Sequence, residues 1–402
     1  HPWTAPMNLS ATPRFSAFCF ACFLLSIAYG ATFLLSLLVR SFGGNEHDAG
    51  QVFAVAMAST LVAVLVSGHV LQRLGAARCI ALGALCLVLA SLGFAMAPGL
   101  GLMLMACGAL LGIGWGVFYT VGPIMVAAMV APARRTHCFA LLSGSMLAGI
   151  GSGPLAGKLA ALAGLPVQAT FITAALTAAL GGGYFWRLGA ATAIAQQRPS
   201  EPVQISLRSA AEVLRSRSAL SIVMVGLGGA IFGGMGSFQT SYAASLGLDY
   251  SLFFIGFMGA AITCRLLIAG WVVKRSPLPT SLALTTLMLI AVLGFASWVH
   301  DSLSYVLAAG VLGIGYGLNY SVINGLAANE APPQRTAQAL LLFSLAYFIG
   351  VFGFPFFAGK LISQSGVSGM LFTVSVIALL VWALAAGRCL LQRLQRRAPL
   401  AE

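Results

Sequence analysis

Acidic side chains are scarce in this sequence. Asp and Glu number 8 in 402 residues, and charged residues of both signs reach only 7%. A soluble globular protein carries roughly 25% charge, so a water-covered fold is excluded. Hydrophobic residues make up 59%, which excludes disorder, because disorder needs low hydrophobicity. The apolar runs are long and unbroken rather than short and alternating, which excludes a membrane β-barrel. No span holds paired carboxylates, a Ser/His/Asp set or a His–acid cluster, so membrane enzyme chemistry has nothing to work with. The 8 cysteines are scattered, mostly inside apolar runs, and give no disulfide framework. Cys19 and Cys22 form a C-x-x-C within the first span, without a His or acidic neighbour, and read as helix packing rather than a metal site. No cofactor is expected.

What is present is a set of membrane-length segments. A crossing needs about 20 apolar residues. Twelve segments supply them: 15–39, 50–71, 79–97, 101–130, 138–162, 167–188, 219–245, 251–273, 280–299, 303–328, 337–362 and 366–387. The expected fold is an all-α membrane protein with twelve transmembrane helices and short connections. The first run is too long for a cleavable signal and continues as a span. His1–Pro6 precedes Met7 and reads as an addition before the native start.

The net charge is +13, with 21 Lys and Arg. On a soluble protein that excess would point to nucleic acid; here it orients helices, because cytoplasmic loops collect Lys and Arg. With the N-terminus placed in the cytoplasm, only Arg40 falls in an external loop, while Lys158, Arg265 and Lys360 fall within spans. The other seventeen basic residues then lie on the cytoplasmic side. The pattern fits an even number of spans across a bacterial inner membrane, with both termini on the cytoplasmic side.

The chain also repeats itself. Gly112-Ile-Gly-Trp-Gly-Val-Phe-Tyr-Thr-Val returns as Gly313-Ile-Gly-Tyr-Gly-Leu-Asn-Tyr-Ser-Val. Ala131-Pro132 with Arg135-Thr136 returns as Ala331-Pro332 with Arg335-Thr336, and Pro154 with Ala156-Gly157-Lys158-Leu159 as Pro355 with Ala358-Gly359-Lys360-Leu361. Three matches in order, offset by 200 to 202 residues, mark two six-helix halves of like orientation. The divisions are an N-terminal segment 1–14, a bundle 15–188, a polar linker 189–217, a second bundle 218–390 and a basic tail 391–402. Within the linker, Leu207 to Arg217 can form a short surface helix.

The loop after the second span, Gly68-His-Val-Leu-Gln-Arg-Leu-Gly-Ala-Ala-Arg78, resembles the G-x-L-x-D-R-x-G-x-R-R signature of the major facilitator superfamily. Gly68, Arg73, Gly75 and Arg78 match; Gln72 stands at the acidic position and Ala77 at a basic one. A degenerate copy, Gly270-Trp-Val-Val-Lys-Arg275, follows the eighth span. The resemblance covers essentially the whole chain and implies a twelve-helix transporter. Gly149-Ile-Gly-Ser-Gly-Pro-Leu-Ala-Gly157 resembles the core of the family's antiporter signature, through Gly149, Gly153, Pro154 and Gly157. That pattern implies an export branch, although its upstream glycine is Ala140 here. The basic residue of drug–proton antiporters on the fourth span is replaced by Gly108. The signature residues, with Gly270 and Arg275, are the expected conformational elements.

An ionisable residue inside a span is costly and by default functional. Arg265 on the eighth span is the strongest case, a guanidinium able to grip a carboxylate, hydroxamate or phosphate, or else a structural arginine capping carbonyls. Lys158 and Lys360 are repeat-related and suit interfacial anchoring. All eight acids lie outside the expected span cores, so the coupling ion is open, with protons as one option. Tyr316, Asn319, Tyr320 and Asn324 share a face of the tenth span, with Trp115 and Tyr119 on its repeat mate, Tyr29 on the first span, Gln239 on the seventh and Tyr347 on the eleventh. Together they describe an aromatic, hydrogen-bonding cavity with one cationic spot. The expected activity is alternating-access transport of a small, weakly anionic or amphipathic metabolite, exported in the manner of a siderophore; the alternatives are import or exchange of an organic anion, or a receptor without transport. The expected partners are that solute and the lipid bilayer, not nucleic acid, and the chain is expected to be monomeric.

Overall fold

The structure is a computed structural model that describes residues 13–131, 134–191, 204–272 and 274–397. The leading residues to 12, Pro132, the linker stretch 192–203 with Glu201, and the tail beyond 397 with Glu402 lie outside the described residues. So do the side chains of Arg135 and Thr136. Among the described residues there is no strand.

In chain order the helices are α1 (Pro13–Ala31), α2 (Leu35–Ser41), α3 (Glu46–Leu74), α4 (Ala76–Met96), α5 (Leu102–Met129), α6 (Arg135–Leu162), α7 (Gln168–Ala191), α8 (Leu207–Leu214), α9 (Ser218–Ser237), α10 (Gln239–Leu246), α11 (Ser251–Leu267), α12 (Ala269–Val272), α13 (Pro277–Ser297), α14 (Ser302–Asn329), α15 (Thr336–Phe348) and α16 (Phe354–Arg397). Among the described residues, nine helices are long and apolar enough to cross a membrane. The ninth spans 60 residues and breaks at Gly366, where φ is 72° and the chain turns back. The other two expected crossings are also helical, as α7 and as the 17-residue apolar α11 with α12. Each of the twelve expected segments is therefore helical. Large apolar side chains such as Leu102, Leu162, Leu180 and Phe372 stand exposed on the outside, as a lipid-solvated surface requires.

Sequence chemistry sets the ends. Asn45 caps α3 by accepting from the Asp48 N–H while Asp48 bonds back to the Asn45 N–H. Asp301 and Ser304 cap α14 in the same way. Gly75 takes φ 81° between α3 and α4, a conformation that favours glycine. Among the described residues of the degenerate second-half loop none takes such a conformation; α13 starts on Pro277 after a cation–π contact of Arg275 with Trp271 at 4.4 Å.

The first half packs α4 on α5 and α7, α3 on α5, and α1 on α6 and α7; the second packs α11 and α13 on α14, and α9 on α15 and α16. Two seams join the halves, α3 against α15 and α16, and α6 against α11. The antiporter-like glycines serve packing within the first half. A Cβ on Gly149 would run into the Phe23 carbonyl, one on Gly153 into the Gly30–Ala31 backbone, and one on Gly157 into Leu34. Pro154 has no N–H for the Ile150 carbonyl, and Gly30 packs on that oxygen. The second half repeats the device, with Pro355, the Val351 carbonyl and Gly233. Signature Arg78 packs its stem against Gly189 on α7, while a Cβ added at Gly270 would meet no described neighbour within 4 Å.

The linker helix α8 is capped by Ser206, buries Ser209 and Val213, and lies against α9 and α15. Glu212 accepts from Arg335 at 2.8 Å, and Arg335 holds its carboxyl below the usual glutamate range.

Candidate functional site

Seven of the ten expected ligand residues meet at the centre of the bundle. Tyr119 sits on α5 one turn before Pro123, which leaves the Tyr119 carbonyl without its helical donor. Its hydroxyl meets that of Tyr320 on α14 at 2.6 Å, a bond from one half to the other. Tyr347 on α15 stacks on Tyr119 with ring centroids 5.4 Å apart. Tyr316 in turn stacks on Phe232 at 5.1 Å. Trp115 lies between Tyr29, at 4.6 Å, and Tyr119, at 6.0 Å. Its indole Nε1 is buried without a partner.

Arg265 enters this ring of phenols from α11, three residues before the helix breaks at Ile268. Its Nη1 donates to the Ser143 hydroxyl of α6 in the other half. Its Nη2 donates to the Gly317 carbonyl of α14 at 2.9 Å. The Nε is buried with no acceptor. The guanidinium thus touches neutral oxygens alone and keeps donor capacity in reserve. Ser143 and Gly317 escaped the sequence reading because a lone serine on a small-residue helix and a backbone carbonyl carry no compositional signal.

Three expected residues are placed elsewhere. Gln239 accepts from Tyr305 at 2.5 Å in a separate aromatic cluster with Tyr242 and Phe295. Asn319 is 3% exposed and accepts from Ser281 of α13 at 2.8 Å, so it joins helices within its own half. Asn324 is half-buried one turn beyond Tyr320. A further correction concerns Glu46, expected in an external loop. The asparagine cap starts α3 at Glu46 itself, and the residue is 6% exposed. Its carboxylate pairs with Arg40 and accepts from Ser241 of the second half at 2.8 Å.

Glu46 belongs to a bolt at the end of the bundle remote from Pro13 and Arg397. Ser36 and Thr240 share a hydrogen bond of 2.7 Å there, and Lys158 pairs with Asp249 at 2.8 Å. Both contacts cross between the halves. The α3–α16 seam is tight at the same end, since a Cβ on Gly359 would meet the Glu46 backbone and one on Gly50 would lie 2.8 Å from the Pro355 carbonyl. Burial pushes the Asp249 carboxyl up, but Lys158 and Ser251 outweigh it and hold the group below the usual aspartate range.

The family model described as Major Facilitator Superfamily matches residues 16–355. No curated protein matches the chain. Among solved structures, the nucleoside transporter NupG, as a mutant, is 14% identical with a TM-score of 0.73, covering 93% of this chain and 98% of its own. The peptide transporter POT in complex with sulfate is 15% identical, TM-score 0.71, covering 92% and 94%. A POT family transporter in complex with 5-aminolevulinic acid is 15% identical, TM-score 0.71, covering 94% and 96%. At such identities the likeness concerns the fold alone.

Proposed function

This chain belongs to the major facilitator superfamily, and from that premise, a membrane transporter, we propose a secondary carrier for a small organic anion. It resides in a bacterial inner membrane with both termini in the cytoplasm, and its two six-helix bundles rock about a midplane site. The anion is held by Arg265 inside the ring of Tyr119, Tyr316, Tyr320 and Tyr347. Tyr29 and Trp115 extend the wall for an aromatic or apolar part. The direction is export, supported by the antiporter-like glycine core; an oxygen-rich chelator of the siderophore kind fits a site with surplus donors.

The observation that carries the reading is the lone deep guanidinium with an unpartnered N–H among neutral phenols. Cationic solutes find no counter-charge there. The test is flux in cells and proteoliposomes with labelled organic acids, siderophores and dyes, comparing the protein with Arg265→Ala. Loss of cell-associated label, absent in the variant, is the expected result. Equal flux in both proteins would remove Arg265 from the site, and accumulation of label would reverse the direction.

A further inference from the structure

We propose that the first half carries a binding site for one anionic phospholipid, with its acyl chain laid in a groove between α1 and α6 and its phosphate held at the arginine-rich end of those helices. The site lies apart from the Arg265 ring, so it stands whether or not the transported solute is an anion. The leaflet concerned is the one at the Pro13 and Arg397 end, which is the cytoplasmic leaflet in the orientation proposed above.

The groove is a cavity of about 500 Å³, open on one side. From α1 it is lined by Cys19, Phe20 and Phe23, and from α6 by Leu141, Ser145 and Ala148. Phe20 and Phe23 stack with centroids 5.9 Å apart, and Phe20 is 61% exposed, so this wall is apolar and turned outward. The α6 residues recur at spacings of four and three, which puts them on one helix face. Nearer the start of α6 the same face carries His137 and Arg134, both exposed. A rise of 1.5 Å per residue places Ala148 about 17 Å beyond His137, against about 15 Å for half of the hydrocarbon core. An acyl chain anchored at the head of α6 therefore reaches the far end of the groove near the bilayer midplane.

Charge selects the occupant. Six arginines, Arg14, Arg73, Arg78, Arg134, Arg135 and Arg187, stand at this end of the first half. In residues 1–200 the only acids are Glu46 and Asp48. Both lie at the other end, where Glu46 serves Arg40 and Ser241 and Asp48 caps α3. The second half is built differently. Arg335, the repeat mate of Arg135, is answered by Glu212 at 2.8 Å, and Arg388 by Glu330 at 2.6 Å. Where the second half supplies carboxylates, the first leaves its charge to the membrane. A lipid phosphate is an anion that arrives already joined to an apolar chain. A zwitterionic lipid offers the chain without the net charge.

Occupancy bears on transport through α6. Ser143, two residues from both Leu141 and Ser145, lies on the opposite face and meets Arg265 of α11. A chain in the groove braces the helix that makes this contact between the halves.

The test uses the purified full chain. In nanodiscs of equal phosphatidylglycerol and phosphatidylcholine, native mass spectrometry should find phosphatidylglycerol retained at least about fivefold over phosphatidylcholine. Ala148→Phe fills the groove and should remove that excess, whereas Leu176→Phe, on the exposed side of α7, should not. Arg134→Glu with His137→Glu changes exposed side chains only, and should bring the two lipids to equal retention; it keeps the test decisive if Ala148→Phe fails to fold. Equal retention of both lipids by the unaltered chain, or an undiminished excess in either folded variant, would overturn the proposal. Thermal unfolding in detergent separates the lipid from its headgroup. Phosphatidylglycerol should raise the unfolding temperature and glycerol phosphate at the same concentration should not. An equal rise with glycerol phosphate would leave a site for free phosphate and overturn the acyl-chain assignment.

Discussion

A guanidinium presents five N–H donors in a rigid fork, and Arg265 spends one nitrogen on Ser143 and another on the Gly317 carbonyl. The fork matters as much as the charge, because lysine offers a point charge with no planar pair of donors. Arg265→Lys is expected to retain binding of small anions while kcat/KM falls by about 10- to 100-fold, roughly 1.4 to 2.7 kcal/mol. Uptake kinetics in proteoliposomes measure this, and an unaltered kcat/KM would reduce the site to a charge without geometry. The Tyr119–Tyr320 hydroxyl pair invites a different experiment. One hydrogen bond is worth about 1 kcal/mol net, or about fivefold. Tyr119→Phe and Tyr320→Phe should each change KM by about that factor. The double variant should be no worse than either single one, because both remove the same bond. Additive effects would mean that each hydroxyl contacts the solute separately.

At the scale of elements, small residues decide which helices touch. The pairs Gly30–Ile150 and Gly233–Val351 place a glycine on a carbonyl that the following proline cannot serve, once in each half. A side chain at Gly149 would strike the Phe23 backbone, which cannot step aside as a flexible side chain could. Gly149→Val should therefore destabilise the protein by about 1–3 kcal/mol, while Gly183→Val, with nothing within 4 Å, should not. Thermal unfolding in detergent separates the two, and matching unfolding temperatures would refute the packing role. Most of this architecture was legible in the sequence, because apolar runs and repeated motifs report helices directly. Even the repeat's irregular spacing had meaning. The offset grows from 200 at Ala131 to 201 at Pro154, and the structure absorbs one residue in the π-helical stretch Ile349–Gly353, where α6 runs on as a regular helix. The tyrosines and Arg265 were readable because aromatic and charged groups stand out against an apolar background. Side-chain direction was not, so Asn319 and Gln239 were grouped with the site although they face their own half. Glu46 was missed for a related reason: hydropathy starts the span at residue 50, but the Asn45 cap starts the helix earlier and tucks the acid into the seam.

The whole molecule has two joined halves and, at the end remote from Pro13 and Arg397, a bolt between them. Lys158–Asp249 is about one-third exposed on each side, and such pairs contribute about 0–1 kcal/mol. Lys158→Ala should shift the balance between the two faces by no more than about fivefold. Glu46→Ala should shift it further, since it removes the acceptor on which Arg40 and Ser241 converge. The sign of any pH effect follows from Asp249. Its carboxyl is held below the usual range by Lys158 and Ser251 against the push of burial. The pair therefore contributes fully above the unpaired aspartate value of about 3.9, and is lost only as pH falls through the lower value of the paired state. Spin labels at Leu165→Cys and Leu303→Cys, on the two halves, read the separation of that end. Between pH 8 and 5 this pair should add no pH dependence to the distance. Asp249→Asn should lengthen the population-averaged distance by the same amount at every pH in that window. A wild-type distance that changes between pH 6 and 8, and loses that response in Asp249→Asn, would show that the carboxyl titrates near neutrality and would refute its assignment as a permanently charged half of the bolt.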